Sequence, residues 1–248
     1  QFIYLEGEPG ELDDYALASR LSYFLWKSMP DPELFKLAAE GKLSDPGILE
    51  QQVDRMLNDE KSMRFVQDFL GQWLRLHDLN ATTPDRKLYP EFDGLLGDSI
   101  RQETELFFAD LIEGNLSAVN LIDSNHTFLN RRLARHYRIP GIQGQQMRKV
   151  RLAAGNLRGG ILGQASIHKI TANGTFTSPV KRGAFVLTRL LGAAPEAPPP
   201  DVGSIEPDTR GTTTIRETLA KHRNVETCAQ CHRSIDPPGF ALETFDPI

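Results

Sequence analysis

Apolar residues recur at intervals of three and four along the first half of the chain, as they do on one face of an α-helix. In the first such stretch Leu17, Leu21, Phe24 and Leu25 form the apolar stripe, and Met29-Pro30 ends it. The same pattern predicts helices that begin near Leu12, Pro32, Pro46, Ser62, Phe92 and Arg131. The helices from Ser62 and Phe92 are predicted to run to Leu79 and Glu113. This part of the chain is therefore predicted to be all α.

The pattern becomes less regular after Thr127–Asn130, a stretch that predicts a compact turn. Met147–Leu152 indicates a short strand, and Pro179–Leu191 indicates a helix. Residues 155–163 are rich in glycine, but they lack the Gly-Lys-Ser/Thr ending of a phosphate-binding loop. Ala197-Pro198-Pro199-Pro200 predicts an extended connector, and a helix is expected over Thr214–Arg223.

The predicted fold class is mainly α, with two parts. A helical domain is expected over residues 8–140, and a second, smaller domain with irregular loops over residues 141–248. The motif with the clearest chemical signal lies near the end of the second part.

Composition and charge exclude several classes of function. The chain has 248 residues, 40% of them hydrophobic and 25% charged, as in ordinary globular proteins. Its net charge of −5 argues against nucleic acid as a partner. No apolar run approaches the roughly 18 residues of a membrane span. Because the chain begins at Gln1 and stops at Ile248 without a tail, we expect it to be a piece of a longer protein.

The strongest chemical signal is Cys228-Ala229-Gln230-Cys231-His232, which contains the only two cysteines of the chain. CxxCH is the attachment motif of a c-type haem. Each thiol adds to one vinyl group of the porphyrin, and the histidine becomes the proximal ligand of the iron. We therefore expect one covalent haem c on Cys228 and Cys231, with His232 as iron ligand. The part over residues 141–248 is accordingly predicted to be a small cytochrome c-like, haem-bearing domain with irregular loops. Because such haems are attached outside the cytoplasmic membrane, a periplasmic or exported protein is expected.

Three other interpretations of the motif are weaker. Tetrahedral zinc needs four ligands, and it would have to recruit distant groups such as His222 or Asp236. A thioredoxin-like redox pair belongs at a helix start in a βαβ unit, whereas a helix is predicted ahead of Cys228. A chance pairing is unattractive in a chain with so few cysteines.

The ligand on the second face of the haem distinguishes an electron carrier from a catalyst. A Met or His ligand there would leave no iron position free for a substrate, as in an electron carrier. His222 is the candidate for this distal position that best fits, since it precedes the motif on a predicted helix. The other candidates are His136, His168 and Met147. Met56 and Met63 are expected in the core, and His77 is expected to be structural or exposed. Lys181, Arg182 and Arg223 could pair with the haem propionates. The Nδ1 proton of His232 is expected to be held by a backbone carbonyl of Pro237-Pro238.

A set of short stretches resembles the planctomycete-type multidomain c-type cytochromes. They are Leu12-Asp13-Asp14-Tyr15, Leu21-Ser22-Tyr23-Phe24-Leu25-Trp26, Gly71-Gln72-Trp73-Leu74, Glu103-Thr104-Glu105-Leu106-Phe107-Phe108, Thr127-Phe128-Leu129-Asn130, Arg158-Gly159-Gly160-Ile161-Leu162, Thr177-Ser178-Pro179-Val180-Lys181-Arg182-Gly183 and Cys228 to Asp246. The resemblance spans nearly the whole chain and implies a helical module ahead of a haem-carrying module. The chain departs from that pattern at His126, usually aromatic, at His168, usually apolar, and at Phe176, often Arg.

The leading functional prediction is one-electron transfer through this single haem, to or from a redox partner protein or a larger electron-transfer assembly. Two alternatives remain open. One is a peroxidase-like or oxidative haem enzyme with an open distal face. The other is a structural haem subunit of a membrane-associated redox assembly.

Overall fold

The structure, a computed structural model, describes residues 10–196, 214, 217 and 226–248, without the side chains of residues 226–228. Its α-helices are α1 (Asp14–Trp26), α2 (Pro32–Ala39), α3 (Pro46–Leu57), α4 (Met63–Trp73), α5 (Gly94–Glu113), α6 (Arg131–His136), α7 (Ala165–Ile170), α8 (Pro179–Phe185) and α9 (Glu226–Ala241). Short 3₁₀ helices cover Glu60–Ser62, Leu76–Asn80, Ala118–Leu121 and Ile161–Gly163. The prediction of a mainly α fold is confirmed.

Local sequence explains where the first helices begin. The carboxylates of Asp13, Asp31 and Asp45 accept hydrogen bonds from backbone N–H groups in the first turns of α1, α2 and α3. Pro32 and Pro46 occupy the first positions of α2 and α3, where a backbone N–H would have no hydrogen-bond partner within the helix. These caps are visible in the sequence, and they place the helix starts where the periodic pattern predicts them.

Two strands form a small antiparallel sheet. Strand β1 (His126–Leu129) pairs with β2 (Arg148–Arg151), so that His126 faces Arg151 and Leu129 faces Arg148. The strand predicted within Met147–Leu152 is confirmed. The turn predicted over Thr127–Asn130 is wrong for its first three residues, which belong to β1. Their hydrogen-bonding partner lies some twenty residues further along the chain, so no local pattern reveals the pairing.

Three helices differ from the predicted ones. The helix expected to reach Leu79 is interrupted at Arg75, whose left-handed backbone (φ 60°) separates α4 from the 3₁₀ helix Leu76–Asn80. The helix from Pro179 continues beyond α8 as a π-helix over Val186–Leu190. Helix α9 carries the CxxCH motif and passes through two prolines without ending.

The prolines of α9 are tolerated because of where their missing hydrogen bonds fall. Pro237 and Pro238 cannot donate to the carbonyls of residues 233 and 234, one turn earlier. Arg233 and Ser234 are both exposed, so water can reach this side of the helix. Helix α9 therefore continues past both prolines and ends at Ala241.

The chain divides into two compact units. Unit 1 comprises the chain up to Leu70 together with Phe108–Ser117. Its core packs apolar residues of α1, α2 and α3 around Trp26, whose indole N–H donates to the carbonyl of Met56 at 2.9 Å. The rings of Phe24, Phe65, Phe69 and Phe108 follow one another at centroid distances of 5.1 to 5.5 Å.

Unit 2 comprises Gly71–Phe107 and Ala118–Ile248. Its core joins α5, β1, α6 and α7 through Leu79, Leu96, Ile100, Leu129, Leu133, Ala134, Tyr137 and Ala165. The boundary expected between residues 140 and 141 falls inside this unit, where β1 pairs with β2. The division into a domain over 8–140 and a haem-bearing domain over 141–248 stays a prediction.

Some predictions lie outside the described residues: the proline connector, His222, Arg223 and most of the helix over Thr214–Arg223. Thr214 and Glu217 are described, and they exchange the two hydrogen bonds of a capping box, at 3.0 and 3.2 Å. Within the described ranges, no helix has both the length and the apolar character that crossing a bilayer requires.

Candidate functional site

The CxxCH motif lies on α9. Helical spacing places positions 228, 231 and 232 on one face of that helix, because residues three and four apart are neighbours. Cys231 is a free thiol that is partly buried, and the His232 side chain is 13% exposed. The motif therefore presents its chemically active positions to one side.

A buried carboxylate orients the His232 ring. The Nδ1 of His232 lies 2.8 Å from Oδ1 of Asp236, one helical turn further on, and Asp236 is only 1% exposed. A carboxylate in this position accepts the Nδ1 proton and directs Nε2 to the opposite side of the ring. The expected backbone carbonyl of Pro237-Pro238 is thus replaced by a side chain. An i,i+4 pair would have been recognisable had the helix been predicted through these residues.

Two glycines allow α9 to cross α8 at backbone contact. A Cβ atom on Gly183 would overlap the carbonyl oxygen of Ile235, and one on Gly239 would overlap the carbonyl oxygen of Pro179. No other residue leaves this space. The crossing fixes α9 against α8 at the turns that follow His232.

Arg182 of α8 holds the segment that follows α9. Its guanidinium donates to the carbonyls of Leu242 (2.7 Å), Phe245 (2.9 Å) and Asp246 (3.0 Å), and to the carboxylate of Glu243 (2.9 Å). The side chain is fully buried. The suggestion that Arg182 pairs with haem propionates is therefore wrong, because its guanidinium is engaged inside unit 2.

The candidates for the distal position fall in different places. Met147 packs against the core cluster of unit 2, which assigns it a structural role. His136 and His168 come together beside Arg158 and Phe245, beyond the end of α9. His222 lies outside the described residues, so its role stays a prediction.

His168 packs in the core as an apolar side chain would. The ring is fully buried and stacks on Phe245 with centroids 4.3 Å apart. Neither ring nitrogen has a hydrogen-bond partner of normal geometry among the described residues. Burial, assisted by Arg182 and Arg158, holds the pKa of His168 well below its ordinary value, while the nearby Gly163 backbone acts weakly in the other direction. The residue is thus a neutral imidazole in a place where an apolar side chain is usual.

Met56, Met63 and His77 were not considered as iron ligands, and the structure describes the surroundings of each. Met56 is fully buried in the core of unit 1, as expected, and Met63 is partly buried. His77 is exposed, and its ring lies over Gly71, where a Cβ atom would overlap it.

The glycine-rich segment has a packing explanation. Cβ atoms on Gly159 and Gly160 would overlap the carbonyl oxygens of Ser124 and Ile122. Gly160 also has a left-handed backbone, with φ 78°. The glycines therefore allow two backbone segments to approach each other. This explains a glycine-rich segment that lacks the ending of a phosphate-binding loop.

A pocket of about 1270 Å³ opens in unit 2 and is called here the arginine pocket. It is lined by Arg131, Arg132, Arg135, Arg138 and Arg158, by Glu91, Asp93 and Asp246, and by His136, Tyr137, Asn156, Leu157, Thr244, Phe245 and Ile248. Arg158 lies between two aromatic rings, with its Cζ 4.0 Å from the Tyr137 centroid and 4.6 Å from the Phe245 centroid. This pocket was not predictable from the sequence, because its arginines come from separate segments and resemble ordinary surface charge.

Behind the pocket wall lies a buried carboxyl, Glu103. It accepts hydrogen bonds from Thr127 (2.6 Å) and Tyr137 (2.5 Å), and the Tyr137 hydroxyl accepts one from the backbone N–H of Ala165 (2.8 Å). Burial raises the pKa of Glu103 to about 7, although both hydrogen bonds oppose the shift. Glu103 is fully buried, although charged side chains on a helix ordinarily face solvent.

Glu103→Gln is expected to flatten the dependence of stability on pH. The folded protein holds the proton up to about pH 7, whereas the unfolded chain releases it near 4.5. The carboxyl therefore contributes stability that is complete below pH 4.5 and is lost as pH rises to about 7. Urea denaturation at pH 5 and pH 8 should show a difference smaller by about 2 kcal/mol in the variant. An unchanged difference would contradict this assignment.

Among the side chains that the structure describes, no group of three His, Cys, Asp or Glu residues comes together in a way that could hold a metal ion.

Two family models match successive parts of the chain. No curated protein and no solved structure matches the chain. Residues 158–248 match the family model described as "PSCyt3: Protein of unknown function (DUF1588)". Residues 12–139 match the one described as "PSD4: Protein of unknown function (DUF1592)". The two matches in succession support a multidomain planctomycete-type protein. Because the model that matches residues 12–139 covers more than half of the 248 residues, the chain belongs to the DUF1592 family.

Proposed function

We propose that this chain is a c-type cytochrome that transfers one electron at a time through a single haem attached to Cys228 and Cys231. His232 would supply the ligand of the iron. The name PSCyt3 of the family model that matches residues 158–248 is in keeping with a cytochrome-like role.

One observation carries the proposal: the pairing of His232 with Asp236. A proximal histidine needs one ring nitrogen for the metal and a hydrogen-bond acceptor on the other, which sets the tautomer. Asp236 supplies that acceptor at 2.8 Å, and helical spacing places the two cysteine positions on the face of His232. The donor set therefore fits a haem attached through two thioethers and one imidazole.

Each group of the chain has a defined part in this function. The Cys228 and Cys231 thiols tether the porphyrin, and Asp236 keeps the His232 ring in one orientation. Because Asp236 is buried, its carboxylate strengthens the imidazole as a donor through the Nδ1 hydrogen bond. The crossing of α8 and α9 keeps the segment that carries His232 and Asp236 from shifting. When bound, the haem supplies a centre that takes up and releases one electron.

The test is expression of the chain with an export signal in a host that matures c-type cytochromes. The pyridine haemochrome spectrum should show a c-type band equivalent to one haem per chain. Cys228→Ser/Cys231→Ser should abolish the band, because the chain has no other cysteine. Ser234→Ala, at an exposed position two residues after His232, is the matched control and should retain the band. Absence of the band from the unaltered chain would refute the proposal.

The arginine pocket favours a second candidate, a haem enzyme with an open distal face, because a roomy polar cavity in the same unit could admit a substrate. Absorption spectra separate the two candidates. Low-spin, six-coordinate haem in both oxidation states supports the carrier. High-spin haem that binds carbon monoxide readily supports the enzyme.

The expected partners and location follow from the proposal and share its test. A periplasmic or exported carrier exchanges electrons with a redox partner protein or within a larger assembly. A structural haem subunit would instead copurify with stoichiometric partners from the native source. Cell fractionation of the matured protein should place it outside the cytoplasm.

A further inference from the structure

The arginine pocket carries an excess of positive charge in an acidic chain. Five arginines and three carboxylates line it, while the net charge of the whole chain is −5. Arg132 is already paired with Asp93, with Nε and Oδ2 3.2 Å apart. The other four arginines outnumber the remaining carboxylates, Glu91 and Asp246, so the pocket attracts anions against the overall charge of the chain.

Arg158 is held in a fixed position at this pocket. The rings of Tyr137 and Phe245 restrict its guanidinium, and its Nη1 donates to the carbonyl of Gly163 at 3.0 Å. A guanidinium fixed in this way binds a carboxylate with little further loss of side-chain entropy. Its planar arrangement of donors suits two parallel hydrogen bonds to one carboxylate.

Arg131 and Arg135 supply a second binding element. Both are exposed and lie one turn apart on α6, which corresponds to a rise of about 6 Å along the helix axis. Alternate residues of an extended peptide repeat at about 6.6 Å and point to the same side. Carboxylates at alternate positions of such a peptide therefore match the spacing of these two arginines.

We infer that the arginine pocket binds an extended acidic segment of a partner protein, with carboxylates at alternate positions. The volume of about 1270 Å³ exceeds what a single inorganic anion needs, which favours a ligand of several residues. One carboxylate binds Arg158, and its neighbours bind Arg131 and Arg135. Charge complementarity of this kind sets specificity and the rate of association.

The test uses the full chain and two fluorescently labelled peptides, tetraglutamate and its uncharged counterpart tetraglutamine. Fluorescence anisotropy at low ionic strength should show binding of tetraglutamate only, weakening several-fold as salt is added. Arg158→Met should weaken binding about tenfold or more. The double variant Arg131→Gln/Arg135→Gln should also weaken it about tenfold. Arg20→Gln, an exposed arginine of unit 1, should bind as the unaltered chain does.

Several outcomes would overturn the inference. These are no binding of tetraglutamate, equal binding of tetraglutamine, or pocket variants that bind like Arg20→Gln. Self-association that both pocket variants abolish, without peptide binding, would identify a second copy of this chain as the occupant instead. If Arg158→Met fails to fold, the double variant at two exposed positions decides. Because the assay does not involve haem, its result is independent of the proposed function.

Discussion

Arg182→Met is expected to lower the free energy of unfolding by about 4 kcal/mol, since the loss of one partner from a buried charged pair is among the largest single-residue effects. The substitution removes four hydrogen bonds to residues 242–246. It also leaves the Glu243 carboxylate, 19% exposed, without its cation. The methionine fills most of the volume, so the loss reports on hydrogen bonds and charge more than on a cavity.

Urea denaturation followed by circular dichroism measures the effect. Lys181→Met is the matched control, because Lys181 is adjacent in sequence but exposed, and it should change stability by less than about 0.5 kcal/mol. Equal stability of the two variants would show that the segment after α9 does not depend on Arg182. With haem attached, the yield of folded c-type protein should fall in the Arg182 variant alone.

Gly183→Ala is expected to destabilise the fold by about 3 kcal/mol, at the upper end of the usual cost of overpacking. The added Cβ would overlap the carbonyl oxygen of Ile235, a backbone atom that cannot rotate away as a side chain would. Relief therefore requires α8 and α9 to separate, and this disturbs the helix that carries His232. Gly239→Ala, which would overlap the carbonyl oxygen of Pro179, should act in the same direction.

Gly94→Ala provides the comparison for the glycine substitutions. Gly94 begins α5, and a Cβ atom there would have no neighbour within 4 Å. Alanine favours the helix by up to about 1 kcal/mol over glycine, so this variant should be as stable as the unaltered chain or more so. If the Gly183→Ala protein had the same melting temperature as the Gly94→Ala protein, this result would contradict the close crossing of α8 and α9.

Much of the helical part was predictable because its signals are local. Asp31 followed by Pro32 marks the start of α2, and apolar residues at intervals of three and four mark the buried faces. Strand β1 was not predictable, because its hydrogen-bonding partner β2 is distant in sequence. The break at Arg75 was hidden as well, since an arginine with a left-handed backbone leaves no mark in the sequence.

The candidate site divides in the same way. The spacing of Cys228, Cys231 and His232 lies within five residues, so the haem-attachment motif could be predicted from the sequence. Asp236 is only four residues from His232, yet its role depends on α9 continuing through the motif. Arg182 was suggested as a partner of the haem propionates, and only its burial and its four hydrogen bonds identify it as a structural residue.

The mainly α class, most helix starts and the expectation of a covalent haem follow from local sequence, because caps, periodicity and the CxxCH spacing act between residues close along the chain. The backbone contact between α8 and α9, the burial of Arg182 and Glu103, and the grouping of arginines around one pocket arise only from tertiary packing. These features depend on which distant segments meet. Burial and the proximity of charges are properties of that packing, and no local pattern of residues encodes them.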